Sequence, residues 1–317
     1  MSNDLRILVG EPRTISTSDG YHWFTGLVKL RDGTLFLSFS TGPDAPRLDI
    51  SDCDPLLKSV DGGDNWFLVK LKPRTDPLFV FQLEDDTILS RLEPIFRRPT
   101  GEVYAHSWRS HDGVITSEGP IETPIRFPEG VIPKEAEDPN YPTMEKHRVR
   151  IGPGSFPTYI QLENGDLITR CVAQFQEDEG DTKYRIIFLK SDDEGKSWSY
   201  VSTIANPPEQ TPGFYEPSFA LLPDGELLCM MRTVSGYTRT PMFQCRSTDR
   251  GETWSEPVSS GVIGVDPELH VMSNGVLACC YGRDAPSEVV AKKRAPFSMG
   301  CRVMFSLDGG ADVDKSH

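Results

Sequence analysis

The octapeptide Ser191-Asp192-Asp193-Glu194-Gly195-Lys196-Ser197-Trp198 recurs as Ser59-Val60-Asp61-Gly62-Gly63-Asp64-Asn65-Trp66 and as Ser247-Thr248-Asp249-Arg250-Gly251-Glu252-Thr253-Trp254. All three read S-x-D-x-G-x-[NST]-W. A fourth copy, Ser306-Leu307-Asp308-Gly309-Gly310, lacks its tryptophan, and a degenerate fifth is Ser110-His111-Asp112-Gly113. From Asp61 to Asp112 is 51 residues, from Asp193 to Asp249 is 56 and from Asp249 to Asp308 is 59. Spacings of that length suit a four-stranded blade with its loops, and their recurrence marks an array of small sheets, one per repeat.

A second unit lies upstream of most boxes. Leu30-Arg31-Asp32-Gly33-Thr34-Leu35, Leu162-Glu163-Asn164-Gly165-Asp166-Leu167, Leu222-Pro223-Asp224-Gly225-Glu226-Leu227 and Met272-Ser273-Asn274-Gly275-Val276-Leu277 each place Asp-Gly or Asn-Gly between apolar runs. This is a strong hairpin signal, and it predicts a turn with both central residues at φ > 0. Hairpin plus box makes a four-stranded blade, so the expected fold is an all-β propeller. Its blades fall near residues 21–70, 78–118, 155–203, 214–260 and 266–310. The long interval from Asp112 to Asp193 contains a stretch at about 119–154, rich in Pro and Glu and poor in periodicity, which reads as an inserted loop. The chain is thus expected to be one propeller domain over residues 1–317.

Each box has a mechanical rationale. The Asp accepts bonds from backbone N–H groups of the turn, Gly supplies positive φ, and Trp buries its ring between blades. The boxes are therefore structural, and too short and ligand-poor for a calcium loop. No metal or other cofactor is implied.

Composition narrows the function. Forty-seven acidic against 33 basic residues leave a net charge of −14 on 317 residues, which repels nucleic-acid backbones and anionic lipid surfaces. Apolar runs are strand-sized, far short of the ~20 residues of a membrane helix, and the N-terminal stretch has no signal-peptide core. A cytoplasmic location follows as an expectation. Seven cysteines without a CxxC pair read as reduced core residues.

The repeated boxes resemble the Asp boxes of the sialidase (neuraminidase) superfamily, the BNR-repeat propellers. Two further stretches share the resemblance. Tyr215-Glu216-Pro217-Ser218 through Met230-Met231-Arg232 looks like a bacterial sialidase segment in which a glutamate opens a blade and an arginine closes its second strand. Tyr281-Gly282-Arg283, followed by Arg294-Ala295-Pro296-Phe297 and the last box, resembles the blade that delivers another arginine.

The resemblance implies a six-bladed ring and an exo-acting glycoside hydrolase on terminal, acidic sugars. Such an enzyme needs guanidinium groups for a carboxylate, an acid for the leaving oxygen, and a nucleophile, which in sialidases is a tyrosine activated by a glutamate. By resemblance Glu216 is the nucleophile's partner and Arg232 a carboxylate clamp; their structural alternative is a salt bridge between blades. For the second arginine the choice is Arg294, with Arg283 as rival. The loop Thr41-Gly42-Pro43-Asp44-Ala45-Pro46-Arg47-Leu48-Asp49 stands where sialidases carry an arginine and the acid/base aspartate, which makes Arg47 and Asp49 the candidates, with Asp44, Asp52 and Asp54 close by.

Two departures bear on activity. Sialidases open their first blade with Arg-Ile-Pro, whereas the matching stretch here, Tyr21-His22-Trp23-Phe24-Thr25-Gly26, holds no arginine. The family's catalytic tyrosine lies beyond the last box, in a closing blade for which this chain has no residues, so a C-terminally truncated propeller, weak or inactive on sialosides, is expected. The alternatives are a non-catalytic glycan- or protein-binding propeller, and a polysaccharide lyase using a base such as His22, His106, His147 or His270. In every case the expected ligand is a glycan.

Overall fold

The computed structural model describes residues 7–8, 10–17, 23–41, 53–73, 79–136, 147–152, 159–180, 182–208, 213–233, 240–283 and 300–311. Every regular element in them is a strand, and none contains a helix long and apolar enough to cross a membrane. The chain divides into two compact units, Met1–Ile88 with Ser110–Ser117, and Leu89–Arg109 with the remainder from Glu118.

In the first unit, β1 (Trp23–Lys29), β2 (Leu35–Ser40), β3 (Cys53–Ser59) and β4 (Phe67–Pro73) form a four-stranded sheet in that order. All its pairings are antiparallel. β5 (Phe79–Gln82) and β6 (Ile88–Ser90) flank a turn at 83–87. Leu30, Phe36, Leu56, Ile88 and Val114 make the core of this unit.

The second unit holds three groups of strands. β15 (Phe214–Leu221), β16 (Leu227–Thr233), β17 (Pro241–Ser247) and β18 (Val258–Ile263) form a second four-stranded sheet, and β19 (Val265–Val271), β20 (Leu277–Arg283) and β21 (Gly300–Ser306) a three-stranded one. In the third, β12 (Leu167–Ala173) is flanked by β10 (Ile151–Gly152) and β11 (Ile160–Gln161) on one side. On its other side lie β13 (Arg185–Ser191) and then β14 (Trp198–Ala205). Beyond β14 the sheet continues through a parallel pairing to β9 (Glu118–Arg126), then β8 (Val103–Ser110) and β7 (Ile95–Arg97). Apolar faces meet between the sheets: Phe188, Phe214, Phe219, Cys229, Met231 and Cys245 share one cluster, and Leu228, Met230, Met242, Leu269 and Cys279 another.

β9 lies in the stretch read as an inserted loop. Only Thr123 and Ile125 of this strand are buried, and Pro120 and Pro124 break up the alternation that would have marked it in sequence.

The hairpin turns differ from expectation in type. Gly33, Gly165, Gly225 and Gly275 have φ of +88°, +89°, +89° and +82°, but the Asp or Asn before each is not among the positive-φ residues. Each turn instead closes through Gly N–H to the carbonyl three residues back, as in Gly33 to Leu30 at 3.0 Å, and a single left-handed glycine follows as a G1 bulge. The reason is the Asx side chain, whose Oδ1 accepts the N–H two residues on: Asp32 from Thr34 at 2.8 Å, Asp224 from Glu226 at 3.1 Å, Asn274 from Val276 at 3.2 Å. That local bond holds the Asx residue at negative φ. The turn at 83–87 repeats the pattern with Asp86 at φ +70° in the glycine's place and Asp85 accepting from Thr87.

The boxes occupy equivalent turns. In the three complete copies the Ser Oγ donates to Asp Oδ1 at 2.8 Å, the Gly N–H donates to Ser Oγ at 2.8–3.0 Å, and the seventh residue caps the Asp with backbone N–H and side chain. The degenerate fifth copy makes the same bonds: Ser110 and Thr116 serve Asp112, and Val114 takes the glycine's place at φ +63°. These bonds lower the Asp61, Asp112 and Asp249 carboxyls to a pKa of about 2. The tryptophans are not equivalent. Trp198 is 1% exposed and its Nε1 has no hydrogen-bond partner among the described residues. Trp66 and Trp254 are only half-buried and donate to the Gly63 and Gly251 carbonyls.

The cysteine reading needs one correction. Cys171, Cys229, Cys245 and Cys279 are buried free thiols, but Cys280 and Cys301 are exposed, because both stand on the outward face of the β20–β21 pair.

Candidate functional site

The β15–β16 pair sets the geometry. Leu227 at one end of β16 pairs both Leu221 and Ser247, the first residue of the third box, while Arg232 near the other end pairs Tyr215. Glu216 and Arg232 therefore lie at the end of these strands opposite the box. Between Tyr215 and Ser218 the register breaks, and Glu216 sits in this bulge at φ +47° immediately before Pro217. The bulge turns its side chain toward Arg232.

The two side chains are bidentate partners. Arg232 Nε donates to Glu216 Oε2 and Nη2 to Oε1, the second bond at 2.6 Å. Glu216 Oε2 also accepts the backbone N–H of Asp266, in the neighbouring sheet, at 2.9 Å. Arg232 Nη1 donates to the Thr233 carbonyl at 3.0 Å, and its Cζ lies 5.3 Å from the centre of the Tyr215 ring. Burial works against the guanidinium charge, but the bonds and charge of Glu216 outweigh it and raise the Arg232 pKa. Burial likewise raises the Tyr215 phenol, assisted by Tyr184, whose ring stands edge-on to it at 5.7 Å, and by Glu216.

Of the residues singled out from sequence, Glu216 and Arg232 are brought together. Arg283 pairs Gly300; in β20 the residue opposite Val265 is Gly282, so Arg283 stands one position beyond the register that Arg232 holds in β16. Arg47, Asp49 and Arg294 lie outside the described residues, as do Asp44, Asp52 and His22. Of the histidines weighed as bases, His106 is packed among the rings of Phe96, Tyr104 and Trp108 at 4.9–6.2 Å, the surroundings of a structural side chain.

Two polar groups were missed. Arg170 of β12 is wholly buried; its Nε donates to the Pro217 carbonyl at 2.9 Å and its Cζ lies 5.4 Å from the Phe219 ring. Burial lowers its pKa, while the charges of Glu268 and Asp266 counter that effect. The one sequence signal was an arginine inside the apolar run Leu167-Ile168-Thr169-Arg170-Cys171-Val172. The second is Glu93, held by Arg91 at 2.5 Å and Arg148 at 3.3 Å. No group of three or more potential metal ligands occurs among the described residues.

Residues 150–298 match the family model of a BNR repeat-like domain. No curated protein matches the chain. Among solved structures, a protein of unknown function from Dyadobacter fermentans aligns over 95% of this chain and 83% of its own, at 21% identity and a TM-score of 0.67. A Hadza microbial sialidase aligns over 92% of this chain at 15% identity and TM-score 0.54; the chain spans only 57% of its length. The alpha-L-arabinanase of Penicillium chrysogenum, solved with arabinobiose, aligns over 83% of this chain and 78% of its own, at 16% identity and TM-score 0.53. The fold is thus an all-β, sialidase-like BNR-repeat propeller, a scaffold shared by glycoside hydrolases of more than one specificity.

Proposed function

We propose that this protein is a sialidase-like exo-glycoside hydrolase that engages terminal, acidic sugars of glycans. The observation that carries the reading is the group Tyr215, Glu216 and Arg232: a bidentate carboxylate–guanidinium pair under a tyrosine ring, on the end of the strands opposite the boxes. Tyr215 remains 37% exposed, so its ring can meet the apolar face of a sugar while Arg232 offers positive charge to a carboxylate. Both Glu216 oxygens accept from Arg232, so its part is to orient that guanidinium. The proton donor in this reading is Asp49, with Arg47, Arg294 and Arg283 as further arginines of the site.

A second reading, a glycan-binding propeller without turnover, is favoured by one specific observation. Nε and Nη2 of Arg232 are already engaged by Glu216 and Nη1 by the Thr233 carbonyl, which opposes a second bidentate grip on a ligand carboxylate. One experiment separates the two. The purified chain is assayed against 4-methylumbelliferyl glycosides of sialic acid, arabinose and galactose, with calorimetric titration of the free sugars and an Arg232→Ala control. Weak turnover of the sialoside that the control loses is the expected result. Sialic acid binding without turnover establishes the second reading, and preference for a neutral sugar overturns the acidic-sugar assignment.

A further inference from the structure

Arg91, Glu93 and Arg148 form a second charged group in the same unit as Arg232, and its arginines are used differently. Arg91 Nη2 lies 2.5 Å from Glu93 Oε2, and Arg148 Nη2 donates to Glu93 Oε1 at 3.3 Å. Among the described residues neither arginine side chain makes any other hydrogen bond or ion pair. They are 33% and 32% exposed, so their remaining N–H groups are within reach of a ligand. Arg232 is the opposite case, because Glu216 and the Thr233 carbonyl engage all three of its nitrogens.

Backbone pairing puts this group at the end of the strands opposite the boxes. Ser110, the first residue of the degenerate box, is the last of β8. Away from the box along that strand, the His106 carbonyl accepts the Glu93 N–H at 3.1 Å and the His106 N–H donates to the Pro94 carbonyl at 2.8 Å. Arg148 comes alongside because it bridges Phe96, and the Val149 N–H donates to the Ile95 carbonyl at 3.0 Å. From there the chain enters β10, whose Ile151 pairs Ala173, while Leu167 at the other end of β12 pairs Ser191 of the box. Arg170 of β12 then ties on the next sheet through the Pro217 carbonyl at 2.9 Å, one residue from Glu216. The Tyr215 phenol, raised first by its burial, also feels the Glu93 charge. The two charged groups thus lie at one end of the second unit.

We infer that Arg91 and Arg148 are the residues that grip the carboxylate of a bound acidic sugar. This deepens the reading of the site as one for acidic sugars and rests on it. Glu93 offsets one of the two guanidinium charges and leaves the other unmatched, so a ligand carboxylate completes the balance. It occupies one edge of each guanidinium, and the other edge remains for two parallel N–H bonds, the strong mode of carboxylate binding. Arg232, already committed, supports Tyr215 and adds its charge from beneath. A sialic acid and a uronic acid both carry such a carboxylate.

The test is calorimetric titration of the full chain with sialic acid, with glucuronic acid and with the methyl ester of each, which removes the charge and keeps the rest of the sugar. The wild type is expected to prefer one acid to its ester by about 10-fold or more, the effect of a charged hydrogen bond, and the acid preferred identifies the sugar class. Arg91→Gln and Arg148→Gln are each expected to lose most of that preference with the thermal midpoint kept; a merely structural role would weaken acid and ester alike. Arg91→Lys and Arg148→Lys, which keep the charge without the planar fork, are expected to lose it in part and serve where a Gln variant does not fold. Folded variants of both arginines that keep the wild-type preference overturn the proposal, and loss of the preference in Arg232→Ala would then leave the acidic-sugar reading standing. A wild type that prefers neither acid to its ester overturns that reading together with the proposal.

Discussion

Glu216 and Arg232 meet side-on across the open end of the β15–β16 pair, and the same Glu216 oxygen that receives Arg232 Nε receives the backbone N–H of Asp266 from the next sheet. One carboxylate thus orders a guanidinium in its own sheet and a strained backbone in its neighbour.

Removing one partner of that pair leaves the other charge poorly solvated, since their side chains are only 17% and 18% exposed. Glu216→Leu or Arg232→Met alone is expected to destabilise by about 2–4 kcal/mol, toward the lower end of the range for broken buried pairs. The double variant Glu216→Leu/Arg232→Met is expected to lose less than the sum of the two. Urea denaturation of all three chains measures this.

Trp198→Ala is expected to cost about 3–5 kcal/mol, as for other fully buried aromatics. Trp66→Ala and Trp254→Ala should cost about half of that, because each ring is only half-buried and its removal uncovers less apolar surface. Comparison of the three thermal midpoints decides whether burial, and not the shared motif, sets the cost.

The box aspartates predict a specific acid sensitivity. Their pKa in the fold, about 2 for Asp61, Asp112 and Asp249, lies below the ordinary 3.8. Such groups stabilise the fold fully above the unfolded value and lose that contribution as pH falls through the folded one. Stability should therefore fall between pH 3.8 and pH 2. Replacing Asp249 with Asn should flatten this part of the profile, and denaturant midpoints across the range test it.

Gly251→Ala and Gly225→Ala start from nearly the same φ, +90° and +89°, but a Cβ at Gly251 would lie 2.3 Å from the Phe188 ring, whereas at Gly225 it meets nothing within 4 Å. The Gly225 change is expected to cost about 1 kcal/mol from backbone strain alone, and the Gly251 change at least about 2 kcal/mol more because the core must be displaced. Equal losses in denaturation would show that the box glycine serves conformation only.

The repeated boxes and Asx-Gly turns made the all-β propeller legible, because each is a local device whose bonds run between residues two to four apart: Ser247 to Asp249, Asp249 to Thr253, Asp224 to Glu226. Local chemistry leaves a local signature. Where that signature was diluted, as by the prolines of β9, the strand went unread. The Tyr215–Arg232 stretch could also be singled out along the chain, since the acid and the arginine bracket one hairpin. What only the tertiary structure decided is how the groups are used. Arg170 lies 47 positions from the carbonyl it clamps, and Glu216 lies 50 from the N–H it accepts. Neither distance is encoded in any short motif. They arise from the stacking of one sheet against the next, and so does the difference between a buried Trp198 and the half-buried tryptophans of boxes that share its motif and its turn. The residues of a repeat specify its own turn; the depth and the partners of each side chain are set by the neighbouring repeats.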